Sequence, residues 1–170
     1  MSYAPAPFDP ERIIRALAAH RVAYVLIGAL GARLYGFPRV TADIDVTPDR
    51  SRENLERLAA ALRELNARVF TESIPEGLPF DCSGSTLARG DLWNLVSDAG
   101  RIDVAFRPSG TGGYDDLVRN ATEFEVFESR IQVASLNDMI RSKTAADRPQ
   151  DRQDVPVLQA LLAHEQTRDG

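Results

Sequence analysis

The sequence predicts an α+β fold: one small mixed β-sheet flanked by helices, with further helices at the C-terminus. Three observations predict it. Short apolar runs of strand type alternate with helical stripes, in the order β, α, β, α, through the first half of the chain. Two later pairs of runs, split near Asp98-Ala99-Gly100 and near Ser129, read as hairpins. The 170 residues, 44% hydrophobic and 26% charged, suit one soluble domain with its own core. No repeat, linker or low-complexity segment divides them. A single domain is expected over 1–170, with a core at about 9–134 and a helical segment at about 135–166.

Each element has a local reason. Asp9-Pro10-Glu11 supplies an N-cap, a first-turn proline and a first-turn acid, and Ile13, Ile14, Leu17 and Ala18 form the stripe of a helix reaching His20. "VAYVLI", 22–27, is a strand buried on both faces; it ends at Gly28, where "GALGARLYG" begins a short helix. "RVTADIDV", 39–46, is the second strand, closed by Thr47-Pro48. Ser51 caps an amphipathic helix with Leu55, Leu58, Ala59, Leu62 and Leu65 on one face.

"ARVFT", 67–71, is a strand, and 73–90 is a loop rich in Ser, Gly and Pro with freedom to move. "DLWNLVS" and "RIDVAF" make the first hairpin, and "EFEVFE" and "RIQVA" the second. Between them "GTGGYDDLVRN" is a glycine-rich loop running into a short helix. "SLNDMIRSKTAA" is helical from Ser135, with Ser135 and Asp138 placed as a capping box. "DRPQDRQD" breaks it, and a last helix runs through "VPVLQALLAHEQ", with Pro156 near its first turn.

Composition narrows the function. No apolar run approaches the ~20 residues of a membrane span, and "MSYAPAPFDP" has no basic and apolar leader pattern, so a cytoplasmic protein without a membrane partner is expected. Cys82 is the only cysteine, which excludes an internal disulfide and a Cys-rich zinc site. The net charge of −5 excludes a general nucleic-acid surface. Of the 20 basic residues Lys143 alone is a lysine. A lysine is a compact point charge suited to phosphate, although one surface lysine can also survive by chance.

The chemistry gathers around "RVTADIDV". Val40, Ile44 and Val46 suit a core-facing strand, yet Asp43 and Asp45 leave its other face side by side. Either this is an ordinary strand with one wet face, or a divalent cation relieves the repulsion; hard carboxylate oxygens suit Mg²⁺. Gly28, fifteen positions before Asp43, lies at a strand-to-helix junction where backbone amides can approach phosphate. Asp103 in "RIDVAF" is a third acid between apolar strand residues. Three acids on adjacent strands can hold two Mg²⁺ ions, the arrangement that clamps an in-line phosphoryl displacement, and Asp103 is then the general-base candidate.

"VLIGALGARLYGFPRVTADIDV" resembles the signature of the DNA polymerase β-type nucleotidyltransferase superfamily: strand, Gly-Gly or Gly-Ser, short helix, then Arg-x-Thr-x-Asp-φ-Asp, with a later third acid. Gly28, Arg39, Thr41, Asp43, Asp45 and Asp103 match it. Ala29 departs from the usual Gly or Ser, so a hydroxyl contact to phosphate is missing while the backbone amide remains. "LNDMIRSKTAADRPQDRQDVPVLQALL" is similar to the "φ-x-x-K…R-x-x-D" segment of the AbiE-type (MenT-like) toxins and related small bacterial nucleotidyltransferases, with Lys143 and Asp154 at the matching positions. Pro156 is a departure within the last helix.

The resemblance implies a nucleotidyltransferase fold and transfer of a nucleotide monophosphate from an NTP to an acceptor hydroxyl, with Asp43, Asp45 and Asp103 as metal ligands. It also implies Gly28, Ala29, Arg39, Thr41 and Lys143 on the nucleotide, with Asp154 completing the catalytic set. The toxin-like segment implies the tRNA 3′ end as acceptor and a cognate antitoxin as partner. Arg141, Lys143, Arg148 and Arg152 outnumber Asp147 and Asp151 locally, so Arg141, Arg148 and Arg152 are candidate RNA contacts, or else an ordinary mixed-charge turn. Two alternatives stay open: an antibiotic or other small-molecule nucleotidyltransferase, and a non-catalytic, antitoxin-like partner-binding protein of the same fold.

Overall fold

The computed structural model describes residues 3–169. Seven strands form one mixed sheet: β1 (Tyr24–Ile27), β2 (Asp43–Pro48), β3 (Arg68–Val69), β4 (Leu92–Ser97), β5 (Gly100–Ala105), β6 (Thr122–Val126) and β7 (Ser129–Val133), in the spatial order β3-β4-β5-β2-β1-β7-β6. The pairs β2–β5 and β1–β7 are parallel and the rest antiparallel. Among the described residues the helices are α1 (Pro10–Ala19), α2 (Gly28–Arg33), α3 (Arg52–Glu64), α4 (Gly84–Leu87), α5 (Tyr114–Val118), α6 (Leu136–Ala146) and α7 (Pro149–Arg168). The mixed sheet with flanking and C-terminal helices is the predicted fold class. No helix of the described residues is long and apolar enough to cross a membrane.

The strand period of two sorts the central strands into an apolar and a polar face. Ile44 and Val46 of β2, and Ile102 and Val104 of β5, are at most 1% exposed. The intervening Asp43, Asp45 and Asp103 keep partial exposure on the opposite side. The core continues into α1 through Ile13, Ile14 and Leu17 and into α3 through Leu55, Leu58 and Leu62. All five expected α3 positions are buried; in α1 it is Ala16 rather than Ala18 that joins the stripe. The caps act as their chemistry dictates: Asp9 accepts the Arg12 amide at 3.1 Å, and Ser51 Oγ accepts the Asn54 amide at 3.3 Å.

Several boundaries differ from the sequence reading. Residues 39–42 are not strand: Val40 is 81% exposed, and β2 begins at Asp43 and continues through Thr47 and Pro48. The second hairpin turns at Phe127-Glu128, both at positive φ (51° and 63°), not at Ser129. Neither residue is a Gly or Asn, so the usual turn signal is absent. The 73–90 loop contains α4 and is pinned by the Val69–Leu78 bridge and by Phe80 stacked on Trp93 at 5.6 Å. Ser135 Oγ caps the Asp138 amide at 3.0 Å, but the Asp138 carboxylate goes to Arg141 instead of back to Ser135. An aspartate is one methylene shorter than the glutamate that completes a capping box.

The largest difference lies at the C-terminus. Asp147 ends α6 in the left-handed conformation (φ 50°), and α7 starts at once with Pro149 in its first turn. Asp151 accepts the Arg148 backbone amide at 3.1 Å, which satisfies one of the free donors at the helix start. The last helix therefore begins six residues before Val155, and Pro156 sits in its interior, where it cannot donate to the Arg152 carbonyl. Pro156 is exposed, so Pro156→Ala is expected to stabilise the protein by about 1–3 kcal/mol by restoring that hydrogen bond. Urea unfolding measures it. An unchanged midpoint would place the proline in a first turn, as in a helix that starts at Val155.

Candidate active site

A cleft of about 680 Å³ opens on the polar side of the central strands, between them and the paired helices α6 and α7. Its acidic wall is set by register. In the parallel β2–β5 pair Asp45 lies directly beside Asp103, and Asp43 lies beside Arg101. Across the antiparallel pairs the same row continues to Ile27 of β1 and Asn94 of β4. Asp43, Asp45 and Asp103 all line the cleft.

Gly28 explains how β1 and α2 join under this wall. Its φ is +72°, and a Cβ there would collide with the Asp45 carboxylate, so only glycine fits on both counts. Gly28 and Ala29 line the cleft with the first amides of α2, which have no partner within the helix. The missing hydroxyl at Ala29 does not remove these donors.

The carboxylates carry the electrostatic strain that the sequence pattern implied. The Asp45 pKa is pushed up to about 7, first by burial and then by the charges of Asp43 and Asp103, with Lys143 and Arg148 acting in the opposite direction. Asp103 is also raised, chiefly by burial, although the neighbouring Arg101 opposes the rise. Thr41 Oγ1 donates to Asp43 Oδ1 at 2.8 Å, and Arg101 Nη2 to Asp103 Oδ1 at 3.4 Å. Asp43 and Asp103 thus each have a neighbour of their own, and among the described residues no group of three or more ligating side chains forms a ready-made metal cage. The donor set itself, three hard carboxylates in one desolvated, mutually repelling group, fits a divalent cation such as Mg²⁺ in kind.

The opposite wall comes from α6 and α7. Lys143 Nζ donates to Asp154 Oδ2 at 3.1 Å and reaches Asp151 Oδ1 at 3.5 Å. Asp151 and Asp154 are each 1% exposed. Burial pushes the Asp151 carboxyl upward, but the hydrogen bonds from Arg148 and the charges of Arg148 and Lys143 outweigh it and hold the group below the ordinary range. Sequence reasoning missed Asp151. The signal was present, because Arg148-x-x-Asp151 itself reads R-x-x-D. It also missed Asp138, Asn94 and Arg107, which line the cleft. Their positions follow from the strand pairing and from the loop after β5, and no local pattern marks them.

The remaining expected residues divide. Arg39 lines the cleft, but its guanidinium forks onto Asp154. Thr41 lies outside the cleft lining and serves Asp43. Of the candidate RNA contacts only Arg148 lines the cleft, and all three have acidic partners: Arg141 with Asp116 and Asp138, Arg148 with Asp151, and Arg152 with Asp147. The glycine-rich 109–114 segment forms part of the wall, where Gly110 packs so closely on Ala145 and the Arg141 carbonyl that a side chain would clash.

No protein-family model matches the chain, and no curated protein matches it. Solved structures do match in shape. The lincosamide antibiotic adenylyltransferase LnuA, in its lincomycin-bound form, is 16% identical with a TM-score of 0.60 over 92% of this chain and 99% of that one. A candidate nucleotidyltransferase of Thermotoga maritima is 18% identical with a TM-score of 0.51, over 94% of this chain and 97% of that one. ANT(2'')-Ia in complex with adenylyl-2''-tobramycin is 16% identical with a TM-score of 0.52, over 95% of this chain and 97% of that one. At these identities the likeness establishes the fold: the chain has a nucleotidyltransferase fold, as the sequence signature implied.

The strained acid gives a pH signature. Asp45 has a folded pKa of about 7 against 3.8 in the unfolded chain, so folding takes up protons between these values and wild-type stability falls as pH rises through the window. Asp45→Asn lacks this loss. In EDTA the mutant is expected to match wild type near pH 4 and to exceed it by roughly 2–4 kcal/mol near pH 8. Denaturant unfolding at several pH values reads the difference; a gap that does not vary with pH would show that Asp45 does not carry this strain.

Proposed function

We propose that this protein is an NTP-dependent nucleotidyltransferase that passes a nucleotide monophosphate to an acceptor hydroxyl. One observation carries the reading: Asp45 and Asp103 share a register position, with Asp43 two residues away, in a cleft whose facing wall presents Lys143. A fold without chemistry gains nothing from keeping three repelling carboxylates there, which argues against the purely partner-binding alternative.

Two Mg²⁺ ions bound by Asp43, Asp45 and Asp103 would supply charge stabilisation to the reacting phosphates. The chain's own groups do the rest. Lys143 and the amides of Gly28 and Ala29 hold the triphosphate, which fixes the α-phosphorus before the acids. Asp103 takes the proton of the acceptor hydroxyl as that oxygen bonds to the α-phosphorus. The bond to the β-phosphate oxygen breaks, and pyrophosphate leaves beside Lys143.

The charge distribution favours a small-molecule acceptor over RNA. Seven aspartates line the cleft against three arginines and Lys143, and the arginines expected to meet tRNA are engaged in ion pairs. An RNA stem requires free positive charge along its phosphates. The fold neighbours with lincomycin or adenylyl-tobramycin bound agree with this preference. The second reading, a toxin acting on the tRNA 3′ end and held by an antitoxin, rests on the C-terminal motif and on the exposure of Arg148 and Arg152, 73% and 67% at the side chain. In that reading both can exchange their carboxylate partners for phosphates.

Purified protein with Mg²⁺ and each labelled NTP, offered lincomycin, tobramycin or total tRNA, separates the readings. Pyrophosphate release with label on a drug is the expected result. Label on tRNA alone would overturn the small-molecule preference, and NTP binding without transfer to any acceptor class would favour the partner-binding alternative. Where transfer occurs, Asp45→Asn should abolish it. Lys143→Ala should reduce it about a hundredfold or more, with Lys143→Arg recovering only part, because a planar fork replaces a fitted point charge.

A further inference from the structure

Arg39 belongs to the sequence signature, where it is expected on the nucleotide, and the structure gives it another partner. Nη1 donates to Asp154 Oδ2 at 3.0 Å while Nη2 meets Asp154 Oδ1. Asp154 is almost fully buried, and its two oxygens also accept Lys143 Nζ at 3.1 Å and Gln150 Nε2 at 3.2 Å. The Arg39 carbonyl is held in turn by Arg33 Nη1 at 2.9 Å, from the last turn of α2. Two residues along, Thr41 donates to the Asp43 carboxylate. A continuous path of polar contacts and backbone therefore runs from Lys143 through Asp154 and Arg39 to Asp43, joining the two walls of the cleft.

We propose that Arg39 is a positioning residue that neutralises buried Asp154, so that Lys143 is free to serve a triphosphate, and that Arg39 does not itself bind the nucleotide. The proposal rests on the nucleotidyltransferase reading above. Its physical basis is the unequal cost of the two states of Asp154. With Arg39 present the carboxylate has a bidentate partner, and Lys143 is one of several donors around it. Without Arg39 a buried negative charge is left to Lys143 and one amide. It draws the ammonium into a tight pair and repels an incoming triphosphate, because the removal of one partner of a buried ion pair leaves the other uncompensated. Asp154 thereby acts through Lys143 and Arg39, and its place in the site is that of a hub between the walls.

A double-mutant cycle on nucleotide binding distinguishes positioning from contact. Binding of ATP, GTP, CTP and UTP is measured by calorimetry with Ca²⁺, which requires no acceptor, and melting curves check that each variant is folded. Arg39→Ala is expected to weaken the best-bound NTP by about tenfold or more, the scale for an uncompensated charge. Adding Asp154→Asn removes that charge and is expected to bring binding back to within about threefold of wild type. A residue that touches the nucleotide would instead leave the double mutant weaker than Asp154→Asn alone by the factor that Arg39→Ala loses in wild type, so Asp154→Asn is measured as the fourth corner. A double mutant as weak as Arg39→Ala, or an Arg39→Ala that binds like wild type, overturns the proposal while leaving the nucleotidyltransferase reading intact. Wild type that binds no NTP overturns both. If Arg39→Ala does not fold, Arg39→Gln with and without Asp154→Asn makes the same comparison.

Discussion

The parallel register of β2 on β5 places Asp45 against Asp103, and most of the site is a response to that juxtaposition. Those strands are held together by their other face, where Ile44, Val46, Ile102 and Val104 are buried at about 1.5–3 kcal/mol each. The upward shift of Asp45 to about 7 corresponds to roughly 4 kcal/mol at 1.36 kcal/mol per pKa unit. That is the order of burying two such side chains, so the apolar face can offset the cost at Asp45. Gly28 is a consequence of the same constraint, since the Asp45 carboxylate occupies the space a side chain would need.

Positive charge is arranged around these acids with similar economy. The buried residues of α7 are Asp151, Asp154 and Leu158, so its N-terminal half docks through ion pairs more than through apolar area. Lys143 and Arg39 provide the pairs to the rest of the fold, Arg148 pairs with Asp151 within the helix start, and all three line the cleft. On the proposed function, the lysine that would serve a triphosphate also fastens the helix, so its balance is sensitive to any change at Asp151 or Asp154.

Part of the cleft lining carries no signature residue: Leu92 and Asn94 lie in the first half of β4, and Arg107 and Pro108 in the segment after β5. Proteins of this fold with molecules as different as lincomycin and adenylyl-tobramycin bound each share 16% identity with the chain, so the fold leaves ligand specificity open. Loops set on a rigid sheet are where such specificity can vary without disturbing the strands beneath.

The sequence by itself determined the elements whose signals are local. The leucine stripe of α3, the Asp9 and Ser51 caps, the Asp98-Ala99-Gly100 turn and the two central strands follow from periodicity and turn chemistry within a few residues. Asp43 and Asp45 were legible as a pair because their i, i+2 spacing puts them on one face of a strand, and the resemblance to the signature joined Gly28 and Asp103 to them. Tertiary structure decided what spacing cannot encode. Val40 looked like a strand residue, yet it lies exposed in the segment where Arg39 reaches across to Asp154, 115 positions away. Phe127 and Glu128 turn a hairpin with side chains that normally avoid positive φ, because the β6–β7 pairing fixes the register around them. The positive charge read from Arg141, Arg148 and Arg152 is partnered in space: α5 brings Asp116 to Arg141, α7 begins early enough to bury Asp151 beside Arg148, and Asp147 pairs with Arg152. Local charge counting sees neighbours in the chain, whereas an ion pair depends on neighbours in space.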